Sequence, residues 1–130
     1  MKSHMATQTL TPISLRQREI VKEYIVQLDK HIADLKSGSA ESTLEIKDLA
    51  DLLHIHPTHL SNTISKVVGK SPCDIYEQKL MEVSKELLLS SKKSIAQIAR
   101  QLSYDPSNFS KFFKHYEGIT PKQFRNSHAE

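Results

Sequence analysis

The sequence contains two copies of one short unit, in residues 46–76 and 95–125. The second copy follows the first at a constant offset of 49 residues, and no gap is needed to align them. A repeated sequence of this length predicts one supersecondary structure presented twice. The identical pairs are Ile46 and Ile95, Ala50 and Ala99, Leu53 and Leu102, Pro57 and Pro106, Ser61 and Ser110, Gly69 and Gly118, and Pro72 and Pro121.

Each copy has the pattern of two short helices joined by a tight turn. Apolar residues recur at helical spacing before the turn, and Pro57 or Pro106 then opens the second helix, because proline is favoured in a first helical turn. Gly69 and Gly118 end these second helices, and Asp105 is a suitable N-cap. The pattern therefore predicts a helix-turn-helix in each copy.

The rest of the chain predicts further helices and no strand. Residues 15–36 carry an apolar stripe with Ser14 as a possible cap. We expect the stripe to cover the first repeat; a two-stranded coiled coil is the alternative. A helix spanning about 72–89 joins the copies, and a last short helix spans 121–124. The predicted fold is all-α, with seven helices in two helix-turn-helix subdomains joined by a long linker helix.

The domain boundaries follow from these elements. Residues 15–70 form the first subdomain with its long N-terminal helix, residues 71–91 the linker helix and residues 92–126 the second subdomain. Residues 1–14 are expected to be disordered or left over from cloning, and residues 127–130 to form a frayed tail. No apolar run approaches the ~18 residues that would span a bilayer, so we expect a cytoplasmic protein. The lone Cys73 fits a reducing compartment, and we expect it to be a small buried side chain.

Charge is distributed unevenly between the two copies. The net charge is +3. Residues 41–91 hold five Lys or Arg against eight Asp or Glu, whereas residues 92–125 hold seven against two. A basic excess on one unit is expected of phosphate binding, although a solvated surface is the commoner cause of a single cluster.

The second helix of a helix-turn-helix places its first residues against base edges in the major groove. Removing the apolar stripe from each second helix leaves an outward face without acidic residues. Asn can pair with adenine, Lys can reach guanine or phosphate, and Ser, Thr and His can bond to several base edges. The candidate base contacts are Thr58, His59, Ser61, Asn62, Ser107, Asn108, Ser110 and Lys111.

Candidate phosphate contacts combine basic side chains with backbone N–H groups at helix starts. They are Lys66, Lys92, Lys93, Ser94, Lys114, Thr120, Lys122 and Arg125. His54, His56 and His59 lack the spacing of a helical zinc site, so we expect no metal and no cofactor. No nucleotide-binding loop or nucleophile motif is present, and we do not expect an enzyme.

The linker helix would be ~27 Å long, and successive major grooves on one face of B-DNA lie ~34 Å apart. One chain is therefore expected to read two successive grooves without dimerising. The rival interpretation is a helical protein-interaction module that binds another regulator or RNA polymerase, with DNA binding incidental. A steep salt dependence of duplex binding would distinguish the two.

The sequence resembles the AraC/XylS type of bacterial transcription regulators over residues 44–125. The stretches that carry the resemblance are Ile98-Ala99, Pro106-Ser107-Asn108-Phe109-Ser110-Lys111, Gly118-Ile119-Thr120-Pro121 and Phe124-Arg125. It implies a seven-helix domain that binds promoter DNA through two major grooves and contacts RNA polymerase, with activation as the expected role. Ser103 stands where the family usually has Gly, and Asn62 stands where many relatives have Arg. This sequence does not include the usual sensor domain. We therefore expect either a small stand-alone regulator or the DNA-binding half of a longer protein that has a sensor domain or forms a homodimer.

Overall fold

The computed structural model describes residues 12–40 and 44–129 of the chain. Over these ranges it forms seven α-helices and no strand, which confirms the predicted all-α class. The helices are α1 (Leu15–Ser37), α2 (Ile46–Leu52), α3 (Pro57–Val68), α4 (Pro72–Ser90), α5 (Ile95–Gln101), α6 (Pro106–Glu117) and α7 (Pro121–Ser127). Most of the segment expected to be disordered or left from cloning, residues 1–11, lies outside the described residues.

Helix α1 begins after Ser14, the cap that the sequence indicated, and ends at Gly38. Ser14 and Gln17 form a reciprocal capping box, in which each side chain accepts the other residue's backbone N–H. Gly38 follows the helix with φ of +82°, a left-handed conformation that glycine adopts without a steric cost. The end of α1 is therefore set by local sequence.

The apolar stripe of α1 packs against its own chain, in contact with α2, α3 and α4. Its buried residues are Ile20, Val21, Tyr24, Leu28, His31, Ile32 and Leu35. The expectation that this stripe covers the first repeat is thus confirmed. The coiled-coil alternative is wrong, because the stripe that would form its seam is buried against α2, α3 and α4 of the same chain.

The turns of the two repeats have the same backbone structure. The N–H of Ile55 donates to the carbonyl of Ala50 at 3.0 Å, and the N–H of Tyr104 donates to Ala99 at 2.8 Å. Both alanines are completely buried. A small side chain is needed at this position, because a larger one would hold the two helices apart where they cross. The repeat in the sequence is therefore a repeat in structure.

Helix α4 lies between the two units and packs against α1, α3, α5 and α7. Its 19 residues make it about 28 Å long, and the hydroxyl of Ser71 caps its first turn by accepting the N–H of Asp74. Ion pairs tie α4 to both sides, with Lys79 reaching Asp29 of α1 and Lys85 reaching Glu117 of α6, each at 2.7 Å. The buried residues of both units form one continuous core.

Two expectations need correction. Helix α7 continues to Ser127 instead of ending near Phe124, because the Ser127 hydroxyl donates to the Phe124 carbonyl at 2.9 Å and the His128 ring packs on the Phe124 ring. Cys73 is exposed instead of buried. In the first turn of α4, Ile75 rather than Cys73 faces the core.

Candidate nucleic-acid interface

The second helix of each repeat begins with a capped proline. In α3, Nδ1 of His56 accepts the backbone N–H of Thr58 at 3.1 Å. In α6, the carboxylate of Asp105 accepts the N–H groups of Ser107 and Asn108 at 3.1 and 3.3 Å, which confirms its predicted role as an N-cap. These bonds satisfy donors that have no partner inside a helix. The caps therefore fix the residue at which α3 and α6 each begin.

The cap of α6 also holds a negative charge in place. Hydrogen bonds from the Asn108 N–H and the Ser107 hydroxyl, with a smaller effect of nearby Arg100, lower the pKa of Asp105 below its ordinary value of 3.8. The carboxylate is therefore ionised at neutral pH. A negative charge at a helix N-terminus is favourable because the helix dipole is positive there.

Helix α6 separates an apolar side from a polar one. Phe109 and Phe113 are completely buried. The predicted base contacts Ser107, Asn108 and Lys111 are exposed, while Ser110 is half-buried. Lys114, a predicted phosphate contact, is also exposed. The structure therefore brings the predicted α6 residues together on one accessible helix.

The C-terminal end of α6 is fastened to α4. The Tyr116 hydroxyl donates to the carboxylate of Glu77, and this bond raises the pKa of Tyr116 to about 12. Glu117, the acidic residue of α6, pairs with Lys85, whose ammonium also lies 5.9 Å from the centre of the Phe124 ring. The Glu117 carboxylate is thus paired with a lysine of α4. The remaining residues of α6, 106–116, include no Asp or Glu.

Helix α3 has the same division into two sides. Leu60 and Ile64 are completely buried. The predicted contacts Thr58, His59, Asn62 and Lys66 are exposed, and α3 contains no acidic residue. The predicted contact Ser61 is half-buried and lines an apolar groove of about 380 Å³ against α1, α2 and α4, so it is less accessible than its neighbours.

Three exposed residues near these faces were missed in the sequence. Ser65 and His115 follow Asn62 and Lys111 by three and four residues, so the helical period itself would have indicated them. Arg100, on α5, is exposed and lies close enough to Asp105 to act on its pKa. No periodic signal marks Arg100, because α5 is a short helix with few turns.

The predicted phosphate contacts divide into accessible and engaged side chains. Lys92 and Lys122 are exposed and belong to no ion pair among the described residues. The Lys93 ammonium donates to the Gln101 amide oxygen at 2.6 Å. Ser94 and Thr120 form capping boxes with glutamines three residues on, so their own N–H groups are bonded and their hydroxyl oxygens each accept a backbone N–H. Their hydroxyl hydrogens and the later backbone N–H groups of the first turns stay available as donors.

The Arg125 side chain is engaged by backbone carbonyls of its own chain. Its guanidinium donates to the carbonyls of Leu88, Lys93 and Ser91, at 2.8, 2.7 and 3.3 Å. These carbonyls belong to the end of α4 and the segment after it, where backbone acceptors lack helical partners. Arg125 is therefore a structural cap of α4. Its role as a phosphate contact stays a prediction, and it is not used in the proposal below.

The histidines beside the first turn have separate environments. His56 is the N-cap of α3, while His54 and His59 are exposed. Within residues 12–40 and 44–129, no group of His, Cys, Asp and Glu is arranged to hold a metal ion. In the same ranges no helix is long and apolar enough to cross a membrane.

The seven helices and the two exposed polar faces define a helix-turn-helix DNA-binding domain. A family model described as "Helix-turn-helix domain" matches residues 49–127, which is more than half of the chain. The chain belongs to the AraC/XylS type of helix-turn-helix transcription regulators. The resemblance inferred from the motifs is thereby confirmed.

Two relatives show the extent of the similarity. The chain is 29% identical to the uncharacterized HTH-type transcriptional regulator YisR of Bacillus subtilis (strain 168), over 87% of this chain and 45% of that protein. It is 30% identical to the lactose operon transcription activator of Staphylococcus xylosus, over 85% of this chain and 42% of that protein. The chain thus spans less than half the length of these relatives.

A solved structure supports the fold independently. The C-terminal domain of AraT, a response regulator from Geobacillus stearothermophilus, superimposes with a TM-score of 0.67 at 29% identity. The match covers 79% of this chain and 86% of that domain. The arrangement of seven helices is therefore that of a known regulator domain.

Proposed function

We propose that the protein binds double-stranded promoter DNA through α3 and α6, with each helix in one of two successive major grooves. The observation that carries the proposal is the shared design of these helices. Each starts at a capped proline, buries an apolar side and exposes a polar side without an acidic residue. A carboxylate on such a face would repel phosphates, so its absence favours contact with a duplex.

The length of α4 supports reading by two helices of one chain. Its 19 residues make it about 28 Å long, close to the ~34 Å between successive grooves. Ion pairs hold it to α1 and α6. A stiff spacer of this length allows one chain to bind a non-palindromic site.

The two helices would contribute differently. α6 exposes Lys111 and Lys114, and the basic excess of residues 92–125 surrounds it, whereas α3 exposes one lysine, Lys66. We propose that α6 supplies most of the salt-dependent affinity and that α3 adjusts the choice of site. Asn62 and Asn108 would read adenine, since an Asn amide can bond to both N6 and N7.

The remaining contacts would be to the DNA backbone. Lys92 and Lys122 are exposed at the start of α5 and in α7, where they could reach phosphates on either side of the α6 groove. Lys93 is exposed as well, although its ammonium is bonded to Gln101. The free N–H groups of the first turns of α5 and α7 would add weaker contacts.

We propose further that the protein activates transcription in the bacterial cytoplasm and contacts RNA polymerase. The name of the lactose operon transcription activator of Staphylococcus xylosus, 30% identical to this chain, supports activation. Because the chain spans 42% of that relative, a sensor domain or a dimer contact in a longer parent protein is part of the proposal.

Duplex titration at two salt concentrations tests the proposal. With a site selected from a random pool, log Kd should change with log salt by ~0.9 per phosphate contacted. Two half-sites about one helical turn apart would agree with reading of two grooves. A flat salt dependence would contradict DNA binding and favour the protein-interaction module.

A further inference from the structure

The end of α1 and the end of α5 are joined by one glutamine side chain. Nε2 of Gln101 donates to the carbonyl of Lys36 and makes a longer contact of 3.5 Å with the carbonyl of Leu35. Both carbonyls lie in the last turn of α1, where backbone acceptors lack intrahelical donors. Gln101 therefore caps a helix of the first unit from within the second unit.

The other end of the same amide is also bonded. Oε1 of Gln101 accepts the ammonium of Lys93 at 2.6 Å. A glutamine amide has a donor end and an acceptor end, and here the carbonyls face the donor while the ammonium faces the acceptor. The network thus defines one orientation of the amide and holds the side chain extended between Lys93 and α1.

This contact departs from the repeat. At an offset of 49 residues Gln101 corresponds to Leu52, which is 54% exposed at the end of α2. The first unit uses no polar group at this position, so the glutamine does not belong to the helix-turn-helix itself. It occurs in the unit that meets the carboxyl end of α1.

The position of the contact gives it a mechanical role. Helix α4 packs against both α1 and α5, so α1, α4 and α5 form three sides of a triangle that the Gln101 bonds close. The shared core joins the two units along α4, and a second joint away from that helix adds a restraint on rotation about it.

We propose that Gln101 is a positioning residue that sets the spacing between α3 and α6, and hence the half-site spacing that the protein accepts. This rests on the proposed reading of two grooves. Inserting one base pair moves the second groove by ~3.4 Å and turns it by roughly 35°. A braced protein must strain to follow, and a protein without the brace can rotate its second unit instead.

The test compares wild type with Gln101→Glu and Gln101→Leu on a selected site and on the same site with one inserted base pair. Glu keeps an acceptor for Lys93 and loses the donor to α1, while Leu is the residue of the first copy. We expect the ratio of the two Kd values to fall from roughly tenfold in wild type to about two- to threefold in both variants. Taking the ratio cancels any general effect on phosphate contacts.

Gln78→Glu is the matched control. Oε1 of Gln78 accepts the ammonium of Lys70 at 3.1 Å, so this variant makes the same charge change beside a lysine without touching α1. It should retain the wild-type ratio. Ratios equal to wild type in both Gln101 variants would overturn the proposal, as would an equal loss in Gln78→Glu.

A measurement without DNA separates this proposal from the proposed function. Spin labels at Asp51→Cys in α2 and Asn126→Cys in α7, both exposed positions, in a Cys73→Ser background report the distance between the units. The distance distribution should be narrow with Gln101 and broader in Gln101→Glu. If wild type bound no duplex, the proposed function would fail, and a distribution equally narrow in the variant would overturn the brace independently.

Discussion

His54 and Ser103 stand 49 residues apart and adopt the same left-handed backbone conformation, with φ of +58° and +66°. Each follows the C-cap of a first helix and precedes the residue whose N–H returns to a buried alanine carbonyl. The turn of each unit therefore demands positive φ at one residue, and neither residue is glycine.

Replacing Ser103 with Gly should stabilise the protein. Left-handed backbone costs a side-chain-bearing residue about 1–2 kcal/mol, and the greater freedom of glycine in the unfolded chain offsets part of that gain. We expect the free energy of unfolding in urea to rise by about 0.5–1 kcal/mol. Ser103→Ala, which keeps the Cβ atom, should bring no gain, and equal stability of Ser103→Gly and Ser103→Ala would contradict the account.

Lys111 tests the assignment of the α6 face. If it reads guanine, Lys111→Ala should weaken binding to the selected site by about 1–3 kcal/mol. If it touches phosphate, the slope of log Kd against log salt should fall by about 1 instead. Lys22→Ala, an exposed lysine of α1, should change neither. An unchanged affinity and slope in Lys111→Ala would show that this face does not meet DNA.

Arg125 should matter for stability and not for the salt slope. Its guanidinium bonds three carbonyls near the end of α4, and a lysine cannot reproduce this planar fork. We expect both Arg125→Lys and Arg125→Ala to lower the free energy of unfolding by about 1–3 kcal/mol. A reduced salt slope in Arg125→Ala, with stability intact in both variants, would favour the phosphate assignment.

Asp105 should make stability depend on pH at the acid end. Hydrogen bonds lower its folded-state pKa below 3.8, so the unfolded chain takes up the proton more readily. The cap is fully stabilising above pH ~4 and loses its contribution as pH falls through the lower folded-state pKa. The Tm difference between wild type and Asp105→Ala should be constant from pH 5 to 7 and shrink below pH 4. A difference independent of pH would mean that the carboxylate charge does not contribute.

His31 should also make stability fall with decreasing pH, but in a range closer to neutral pH. Burial lowers its pKa from 6.5, partly opposed by Asp34, and its Nε2 accepts the N–H of Leu44 at 3.1 Å. Protonation removes that acceptor, so stability should be full above pH 6.5 and fall as pH drops through the lowered pKa. His31→Gln, which can still accept a hydrogen bond, should show a flatter profile between pH 5 and 7. An identical profile would assign the loss to other groups.

The elements of this fold were readable from sequence where the information is local. The cap residues Ser14 and Asp105 and the terminating glycines Gly69 and Gly118 act within a few residues of their own helix. The apolar period indicates which side of each helix is buried. The sequence predicts too short an α7, because the contacts that extend this helix involve Ser127 and His128, which carry no apolar signal.

The contacts that were not predicted join residues far apart in the chain. Gln101 meets Lys36 across 65 residues and Arg125 meets Leu88 across 37. Periodicity describes one helix at a time, so it cannot tell a basic side chain that binds phosphate from one that caps another helix. Cys73 was misplaced for a related reason, since the side of α4 that faces the core depends on tertiary packing.

The single core that runs through α4 has an evolutionary consequence. If α3 and α6 each read one half-site, as proposed, their exposed positions can change one at a time, and the preference for one half-site can evolve independently of the other. Buried positions such as Leu80 and Leu88 of α4 serve the shared interior, and their replacement disturbs both halves together. We therefore expect related proteins to vary at the exposed positions of α3 and α6 and to keep the buried residues of α4 nearly unchanged.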